Sequence, residues 1–183
     1  DIINTALKLF NSHSYNSIGV DRIISESNVA KMTFYKYFPS KEKLIEECLI
    51  QRNINLQTSL NATLEQCDPT NYLEQIKAIF HWYTVWFESE DFNGCMFQKA
   101  LIEVIKIYPS TLKPATEYKT WLTNLTQNLL RNMDIQNPNH LANLIVSILD
   151  GMTIQAHINR HTVQLEEYWK RVEHLIQFEK SMA

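Results

Sequence analysis

The sequence predicts an all-α protein with about nine helices. Apolar residues recur every three or four positions over nearly the whole chain, and no stretch alternates with the period of two typical of a strand. The 183 residues include only three glycines and five prolines, which is too few for a fold built on many tight turns. Neither a GxGxxG nor a GxxxxGK(S/T) pattern is present, which excludes a Rossmann dinucleotide site and a P-loop.

Three short helices are predicted at the start of the chain. They are expected to begin near the first residue, at Val20 and at Ala30. Their ends are marked by the turn-forming residues 11–14, by Ser27–Asn28 and by Pro39. Three short helices with a tight turn between the second and the third are typical of a helix-turn-helix, predicted here at about residues 19–38.

Six longer helices are predicted after Pro39. Ser40 occupies the position of an N-cap, so the fourth helix is expected from Lys41 to about residue 66. Later breaks are predicted at Asn93–Gly94, at the proline-bounded residues 109–114 and at Asn137–Pro138. The remaining helices are expected at about 69–88, 94–108, 115–132, 139–158 and 164–180, with boundary errors of about 2–4 residues.

The charge distribution separates the first 45 residues, called the head below, from the rest of the chain. The head carries six basic and four acidic side chains, whereas the whole chain has a net charge of -3. A positive head on an acidic body fits a small nucleic-acid module that is joined to another domain.

The third predicted helix has one face suited to packing and one suited to a DNA groove. With about 100° per residue, Ala30, Phe34, Tyr37 and Phe38 fall on the face predicted to be buried. Lysine and phenol groups can bind phosphate, a lysine can donate to guanine, and a methyl or thioether group can contact thymine. The side chains outside the buried face that can make such contacts are Lys31, Met32, Thr33, Tyr35 and Lys36. Lys41 is a further predicted phosphate contact, beside the positive end of the fourth helix.

A dense run of residues links this helix-turn-helix to a known family. The run is Thr33-Phe34-Tyr35-Lys36-Tyr37-Phe38-Pro39-Ser40-Lys41, preceded by Ala6, Phe10, Tyr15, Val20, Ile23 and Val29 and followed by Leu44. It resembles the pattern T-(L/F)-Y-x-(Y/H)-F-x-(S/T)-K in the N-terminal DNA-binding domain of TetR-family transcriptional regulators.

The resemblance implies a particular organisation and function. It implies nine or ten helices, a homodimer, and a palindromic operator in double-stranded DNA. It assigns residues 1–45 to DNA binding and residues 46–183 to a helical ligand-binding and dimerisation domain. An unknown small-molecule effector bound there would release the DNA, which describes a repressor, although the sequence does not decide between repressor and activator.

The same resemblance implies roles for single residues in the head, and this chain departs from the family pattern at several of them. It makes Tyr35 and Lys41 phosphate contacts and directs Lys31, Met32, Thr33 and Lys36 toward the groove. Gly19 replaces the usual Thr at the start of the second helix, which leaves Ser17 as the nearby hydroxyl for DNA. Asn28 replaces the usual Gly in the turn, and Asn tolerates the left-handed conformation that the turn needs. Because Ala30 and Met32 replace the common Ser and Gly, the base preference is expected to differ from that typical of the family.

The fifth predicted helix is apolar on more than one side, as expected for the central helix of a bundle. Aromatic side chains on it and on the next two helices could line an apolar pocket in which indole and phenol groups orient a ligand. The alternative is that most of them are ordinary core residues. The predicted pocket residues are Trp82, Tyr83, Trp86, Phe97, Leu101, Val104, Tyr118 and Trp121.

Cys95 suggests a second type of sensor. It lies in Gly94-Cys95-Met96-Phe97, which resembles a G-C-x-F segment in one branch of these regulators. At the start of the sixth helix the helix dipole would lower the thiol pKa, so Cys95 is either a thiol-based sensor or a small packing residue. The three cysteines have no pair spacing that predicts disulfides or a zinc site, which favours a reducing cytoplasm.

Apolar stripes on the last two helices can pack within the chain or against a second copy. The resemblance favours a dimer interface, formed by Leu141, Leu144, Ile145, Ile148, Met152, Trp169, Val172 and Ile176. His157 and His161 are four residues apart, but no third ligand has a recognisable spacing, so surface histidines are expected rather than a metal site.

Other classes of function are less compatible with the sequence. No catalytic constellation or cofactor motif is recognised, so neither enzyme activity nor a cofactor is expected. The strongly apolar stretch 141–149 is shorter than the about 20 residues that cross a bilayer, and no signal-peptide pattern is present. We therefore predict a cytoplasmic protein without a membrane partner. The alternative of another class is a helical small-molecule-binding protein whose head does not bind DNA.

Overall fold

A computed structural model describes residues 2–182, which form nine α-helices and two short 3₁₀ helices and contain no strand. The α-helices are α1 (Ile2–Ser12), α2 (Val20–Ser27), α3 (Lys31–Tyr37), α4 (Lys41–Leu64), α5 (Tyr72–Glu88), α6 (Met96–Glu103), α7 (Leu112–Arg131), α8 (Pro138–Ile158) and α9 (Leu165–Ser181). The 3₁₀ helices are Pro109–Thr111 and Arg160–Thr162. The predicted all-α class is therefore confirmed.

The described residues form two compact units that differ from the predicted division at residue 45. The first unit contains the residues up to Leu56 together with Asn93–Tyr118, and the second contains Gln57–Phe92 and the residues from Lys119 onward. Helices α4 and α7 contribute residues to both units. A DNA-binding domain at 1–45 and a ligand-binding domain at 46–183 stay predictions, since a functional boundary need not follow packing.

The first unit has a core built from the three short helices and the loop after α1. Ala6, Phe10, Tyr15, Ile23 and Phe34 have no exposed surface. The rings of Phe10 and Tyr15 lie 4.9 Å apart between centroids. These side chains come from α1, α2, α3 and the loop between α1 and α2, so one small apolar cluster orients the whole helix-turn-helix.

The turn between α2 and α3 contains a residue in the left-handed conformation, as predicted from the sequence. Asn28 has φ 54° and ψ 41°, and its N–H donates to the carbonyls of Ile24 and Ser25. This is the geometry of a helix C-cap in which Asn takes the place of glycine. Asn28 therefore ends α2 and redirects the chain into α3.

Two predicted boundaries near the middle of the chain were wrong. Helix α6 ends at Glu103 rather than near Tyr108, and residues 104–107 form turns. The β-branched residues of this segment crowd the preceding helical turn, which lowers helix propensity. Helix α7 begins at Leu112, because Pro114 lies in its first turn, where a missing N–H costs no helical hydrogen bond.

The second unit packs α5 against α8 and α9. Six of the seventeen residues of α5 are buried, including Ile76, Phe80 and Phe87, which confirms the prediction of a central helix. The 21-residue α8 is long and apolar enough to pass a length-and-composition test for a membrane span. Eight of its residues are buried within the chain, and a core helix of this kind passes the same test.

Candidate nucleic-acid interface

Helix α3 is anchored by one face and displays the other. Phe34 is completely buried, and the Phe38 ring lies 5.8 Å from the Phe34 ring. The exposed side chains of α3 include all five that the sequence analysis assigned to DNA contacts: Lys31, Met32, Thr33, Tyr35 and Lys36. Met32 is 87% exposed, so its thioether is available to a partner.

Two residues that the helical wheel assigned to the buried face of α3 are exposed. Tyr37 is 62% exposed, and Ala30 is exposed at the N-cap. Phe34 and Phe38 are buried, so the contact face of this seven-residue helix is narrower than the helical wheel predicted and does not include Tyr37. The Lys36 ammonium lies 6.0 Å from the centroid of the Tyr37 ring, so both groups belong to the exposed surface.

The start of α2 lacks the side-chain cap that a hydroxyl residue would supply. Gly19 is the N-cap residue and makes no side-chain hydrogen bond. Ser17 is exposed, and its hydroxyl donates to the carbonyl of Ser14 at 2.9 Å. The predicted contact of Ser17 with phosphate stays a prediction.

Helix α4 begins with the predicted cap and with a lysine unlike those of α3. The Lys43 N–H donates to the Ser40 hydroxyl oxygen at 3.1 Å, which confirms Ser40 as the N-cap. Lys41 is half-buried, and burial lowers the pKa of its ammonium, an effect that the nearby Glu103 carboxylate opposes. Lys41, which is predicted to contact phosphate, therefore lies near the acidic side chain of Glu103 in α6.

The exposed charges of α2 and α3 are partly paired. The Lys31 ammonium donates to Asp21 Oδ1 at 3.1 Å, and Arg22 Nε donates to Glu26 Oε1 at 2.7 Å. The first pair joins α2 to α3, whereas the second lies within α2. The contact of Asp21 with Lys31 could not be predicted from the sequence, because a ten-residue separation across a turn gives no periodic signal.

Helix α6 holds the loop between α1 and α2 through two charged side chains, Lys99 and Glu103, together called the α6 clamp below. Glu103 Oε2 accepts hydrogen bonds from the Ser14 hydroxyl at 2.8 Å and from the Tyr15 N–H at 2.7 Å. Lys99 Nζ donates to the carbonyls of Phe10, Asn11 and His13 at 2.6, 3.1 and 2.9 Å. A cation at these carbonyls satisfies acceptors that the C-terminal turn of α1 leaves open.

Tyr15 adds a third contact to the α6 clamp. Its hydroxyl donates to the Met96 carbonyl at 3.0 Å, and burial raises the pKa of the phenol well above its usual value. Burial also lowers the pKa of Lys99, an effect that Glu103 opposes. This cluster could not be predicted from the sequence, because its partners lie more than 80 residues apart in the chain.

The predicted pocket residues divide between the two units. In the first unit, Phe97 and Tyr118 stack with ring centroids 5.4 Å apart, Val104 is buried and Leu101 is half-buried. In the second unit, the Trp82 indole N–H donates to the Ser59 hydroxyl at 2.9 Å, so its polar group is already used.

The other aromatic side chains of the predicted pocket in the second unit form a chain of ring contacts. Tyr83 is buried 5.8 Å from the Trp86 ring, whereas Trp86 and Trp121 are half-buried. Two open cavities of about 410 and 420 Å³ in the same unit are lined by other residues, among them Trp169 and Cys67.

The possible thiol sensor lies at the start of α6, and the two histidines predicted to be surface residues lie at the end of α8 and just after it. Cys95 is the half-buried N-cap residue of α6, one position before the first turn in which it was expected. His157 lies in the last turn of α8 and His161 in the following 3₁₀ helix, and both are exposed. Within residues 2–182 there is no group of three His, Cys, Asp or Glu side chains that could hold a metal ion.

Most residues predicted for the dimer interface are used in the chain's own core. Leu141, Ile145, Met152, Trp169, Val172 and Ile176 are buried, so they have almost no surface left to bury against a partner. They are buried because α8 and α9 both pack on α5, and their place in a dimer interface stays a prediction. Leu144 is exposed and Ile148 is half-buried, and further exposed apolar side chains on these helices are Ile154, Ile158 and Phe178.

Comparison with known proteins extends the interpretation of the head. The family model described as "Bacterial regulatory proteins, tetR family" matches residues 2–48. The chain is 54% identical over 44 residues to the uncharacterized HTH-type transcriptional regulator YuxN of Bacillus subtilis (strain 168). That match spans 24% of this chain and only 15% of YuxN, so it concerns the head alone.

Longer matches cover nearly the whole chain at lower identity. The HTH-type transcriptional repressor DhaR of Mycobacterium sp. (strain GP1) is 19% identical over 91% of this chain and 86% of its own. The crystal structure of SCO4454, a TetR-family transcriptional regulator from Streptomyces coelicolor, superposes with a TM-score of 0.84. It is 22% identical and covers 98% of this chain and 94% of its own.

A further structure shows the same fold with DNA present. A cysteine-substituted CifR complexed with 26 bp double-strand operator DNA has a TM-score of 0.76 and 18% identity, covering 96% of this chain and 94% of its own. The helix-turn-helix with its exposed α3 face and the match over residues 2–48 indicate a DNA-binding head of the kind found in bacterial transcriptional regulators. Residues 2–48 are similar to the DNA-binding domain of TetR-family regulators, and the chain as a whole has the fold of the TetR-family structures it matches.

Proposed function

We propose that this regulator is a homodimeric repressor that binds a palindromic operator in double-stranded DNA and leaves it when a small-molecule effector binds. The observation that carries the proposal is the exposed face of α3, where two lysines, a threonine, a tyrosine and a methionine surround a fully buried Phe34. Lysine and phenol groups fix the register on the phosphates, while Lys31, Met32 and Thr33 contact base edges. The name of DhaR, a repressor, supports the sign of regulation.

The test of DNA binding is selection from a pool of random duplexes at fixed moderate salt, followed by sequencing of the bound fraction. We expect enrichment of a palindrome with half-sites about one helical turn, ~34–36 Å, or somewhat more apart. Small molecules that co-purify with the protein are removed first. If the protein then binds DNA only in a salt-sensitive, sequence-independent way, the proposal is contradicted. The alternative class, a helical small-molecule-binding protein, predicts no DNA binding in the same assay.

Release by a ligand requires a connection between α6 and the helix-turn-helix, and the α6 clamp supplies one. The side chains of Lys99 and Glu103 make five hydrogen bonds with the end of α1 and the loop after it. A shift of α6 would pull this loop and with it the start of α2. Ligand and DNA would then oppose each other reciprocally.

Calorimetric titration tests this reciprocity. We expect the ligand affinity to fall in the presence of the operator by the same factor by which the ligand weakens DNA binding. An identical ligand affinity with and without the operator would count against release by a ligand. The half-buried Trp86 and Trp121 retain surface for a ligand, so quenching of tryptophan fluorescence is a suitable screen.

The dimer is proposed to form through the exposed apolar side chains of α8 and α9. Leu144, Ile154, Ile158 and Phe178 are exposed on these two helices. Sedimentation analysis should give twice the chain mass of 21.5 kDa, and Phe178→Glu should weaken the dimer. A wild-type protein that sediments as a monomer at micromolar concentration would contradict a stable dimer.

A second candidate keeps the DNA head and places the sensor at Cys95. Cys95 caps α6, and its carbonyl accepts the N–H of Lys99 at 3.0 Å, so a modified thiol would act on the helix that carries the α6 clamp. Thiol-reactive compounds should release wild-type protein from the operator and fail to release Cys95→Ser. An equal response of both proteins would exclude this sensor.

The proposed function also indicates where in the cell the protein acts. A regulator that reaches chromosomal DNA acts in the cytoplasm, and its three cysteines remain thiols there. We assign it no catalytic role and no resident cofactor, since binding and release of DNA account for the arrangement of the head.

A further inference from the structure

Asp21 is the acidic side chain that contacts the recognition helix α3. It lies in the first turn of α2, and Lys31 is the first residue of α3. The Lys31 ammonium donates to Asp21 Oδ1 at 3.1 Å, with the two side chains 65% and 84% exposed. The pair therefore stands on the surface that we propose to face DNA.

This ion pair has little influence on the fold, because exposed pairs contribute little to stability. On DNA binding, which depends on charge, we expect Asp21 to act more strongly. A carboxylate on this surface repels phosphate, and it compensates the charge of one of the lysines that would release counterions from DNA. Asp21 should therefore weaken binding to DNA of any sequence.

The hydrogen bond also restricts where Lys31 can reach. A lysine ammonium has three N–H donors on a flexible stem, and one of them is directed to Asp21. The hydrogen bond and charge of Asp21 raise the pKa of Lys31, so the ammonium stays protonated. The other two donors are then held near the start of α3, the part of a recognition helix that reads base edges.

We propose that Asp21 is a positioning residue that sets the sequence specificity of this regulator, by holding Lys31 for a guanine edge and by repelling unrelated DNA. A guanine presents O6 and N7 as acceptors in the major groove, and a lysine is one of the side chains that binds them. This inference rests on the proposed function, because it requires a specific operator.

The test compares Asp21→Asn with the matched control Glu26→Gln. Both substitutions remove one negative charge from α2, but Glu26 pairs with Arg22 in the same helix instead of with α3. Affinities are measured at several salt concentrations for the operator recovered by selection and for a scrambled duplex of equal length. Asp21→Ser is a second variant that removes the same charge, and Asp21→Glu is the conservative one.

Asp21→Asn should bind the scrambled duplex about 3–10-fold more tightly, with a salt dependence steeper by about 0.9, the value for one additional phosphate contact. The ratio of operator to scrambled affinity should fall about 10-fold. Glu26→Gln should shift both affinities by the same factor, and Asp21→Glu should retain the ratio. In a repeated selection, Lys31→Met and Asp21→Asn should lose preference at the same base pair.

An unchanged affinity ratio in both Asp21→Asn and Asp21→Ser, or a change equal to that of Glu26→Gln, would overturn this inference and leave the proposed function intact. If the wild-type protein enriches no sequence in the selection, both this inference and the proposed function are overturned. The two failures are therefore distinguishable within one set of measurements.

Discussion

Helices α3 and α6 are nearly equal in length, with seven and eight residues, and they use their charged side chains in opposite ways. Lys31 and Lys36 of α3 are exposed, and the one hydrogen bond shown for them, from Lys31 to Asp21, lies at the surface. Lys99 and Glu103 of α6 are half-buried and bind carbonyl, amide and hydroxyl groups of the first unit.

This difference separates two functions of polar residues. A charged side chain that satisfies buried or half-buried backbone groups stabilises one arrangement of the chain, and losing it leaves those groups unpaired. A charged side chain in solvent adds little to stability and is available to a partner. Substitutions in α6 should therefore change folding or coupling, whereas those on the exposed face of α3 should change DNA binding.

The largest expected effect is at the anchor of α3. Phe34→Ala should lower the free energy of unfolding by about 3–5 kcal/mol, since it removes a fully buried aromatic side chain. Met32→Ala on the opposite face should change it by no more than about 0.5 kcal/mol while weakening operator binding. Urea denaturation and duplex titration of both variants check this contrast, which fails if Met32→Ala is the more destabilised protein.

The α6 clamp should give the next largest effect. Lys99→Met keeps most of the aliphatic stem but removes the ammonium that binds three carbonyls, so we expect a loss of about 1.5–3 kcal/mol. Lys106→Met is the matched control, because Lys106 is exposed in the turn after α6. Equal denaturation midpoints for the two variants would show that the clamp does not stabilise the first unit.

Tyr15→Phe should cost less and should depend on pH. At pH 7 it removes the hydrogen bond to the Met96 carbonyl, which is worth about 1 kcal/mol. Because burial raises the phenol pKa in the folded state, only the unfolded state loses this proton above about pH 10. The wild type is then destabilised by about 1.4 kcal/mol per pH unit relative to Tyr15→Phe.

Denaturation of both proteins between pH 7 and pH 11 measures this effect. The difference in stability between wild type and Tyr15→Phe should shrink above about pH 10 and then change sign. A difference that stays constant over the whole range would mean that the phenol ionises equally in both states, contrary to its burial.

The smallest effect is expected at the turn that orients α3. Asn28→Gly should change the free energy of unfolding by no more than about 0.5 kcal/mol, because glycine adopts the left-handed conformation at φ 54° without a steric penalty. Asn28→Ala is the control and should cost about 1–2 kcal/mol. If both variants behave alike in thermal denaturation, the conformation of Asn28 is not what holds the turn.

Much of the head could be predicted from local signals. The caps Ser40 and Asn28, the stop at Pro39 and the buried position of Phe34 all depend on residues within four positions of each other, and all were predicted. The wrong predictions concern features that local sequence patterns did not indicate. Tyr37 is exposed because the contact face of α3 is narrower than the helical wheel predicted, and α6 ends early in a segment rich in β-branched residues.

The sequence by itself determined the helical class, the order of the helices and the resemblance of the head, because helical periodicity, capping and a dense motif are local properties. Tertiary structure alone decided that Glu103 and Lys99 bind the loop after α1, that Asp21 holds Lys31, and that six of the predicted interface residues belong to the core. These outcomes depend on which surfaces meet in space. Contacts between residues that are distant in the chain leave no periodic trace in a single sequence.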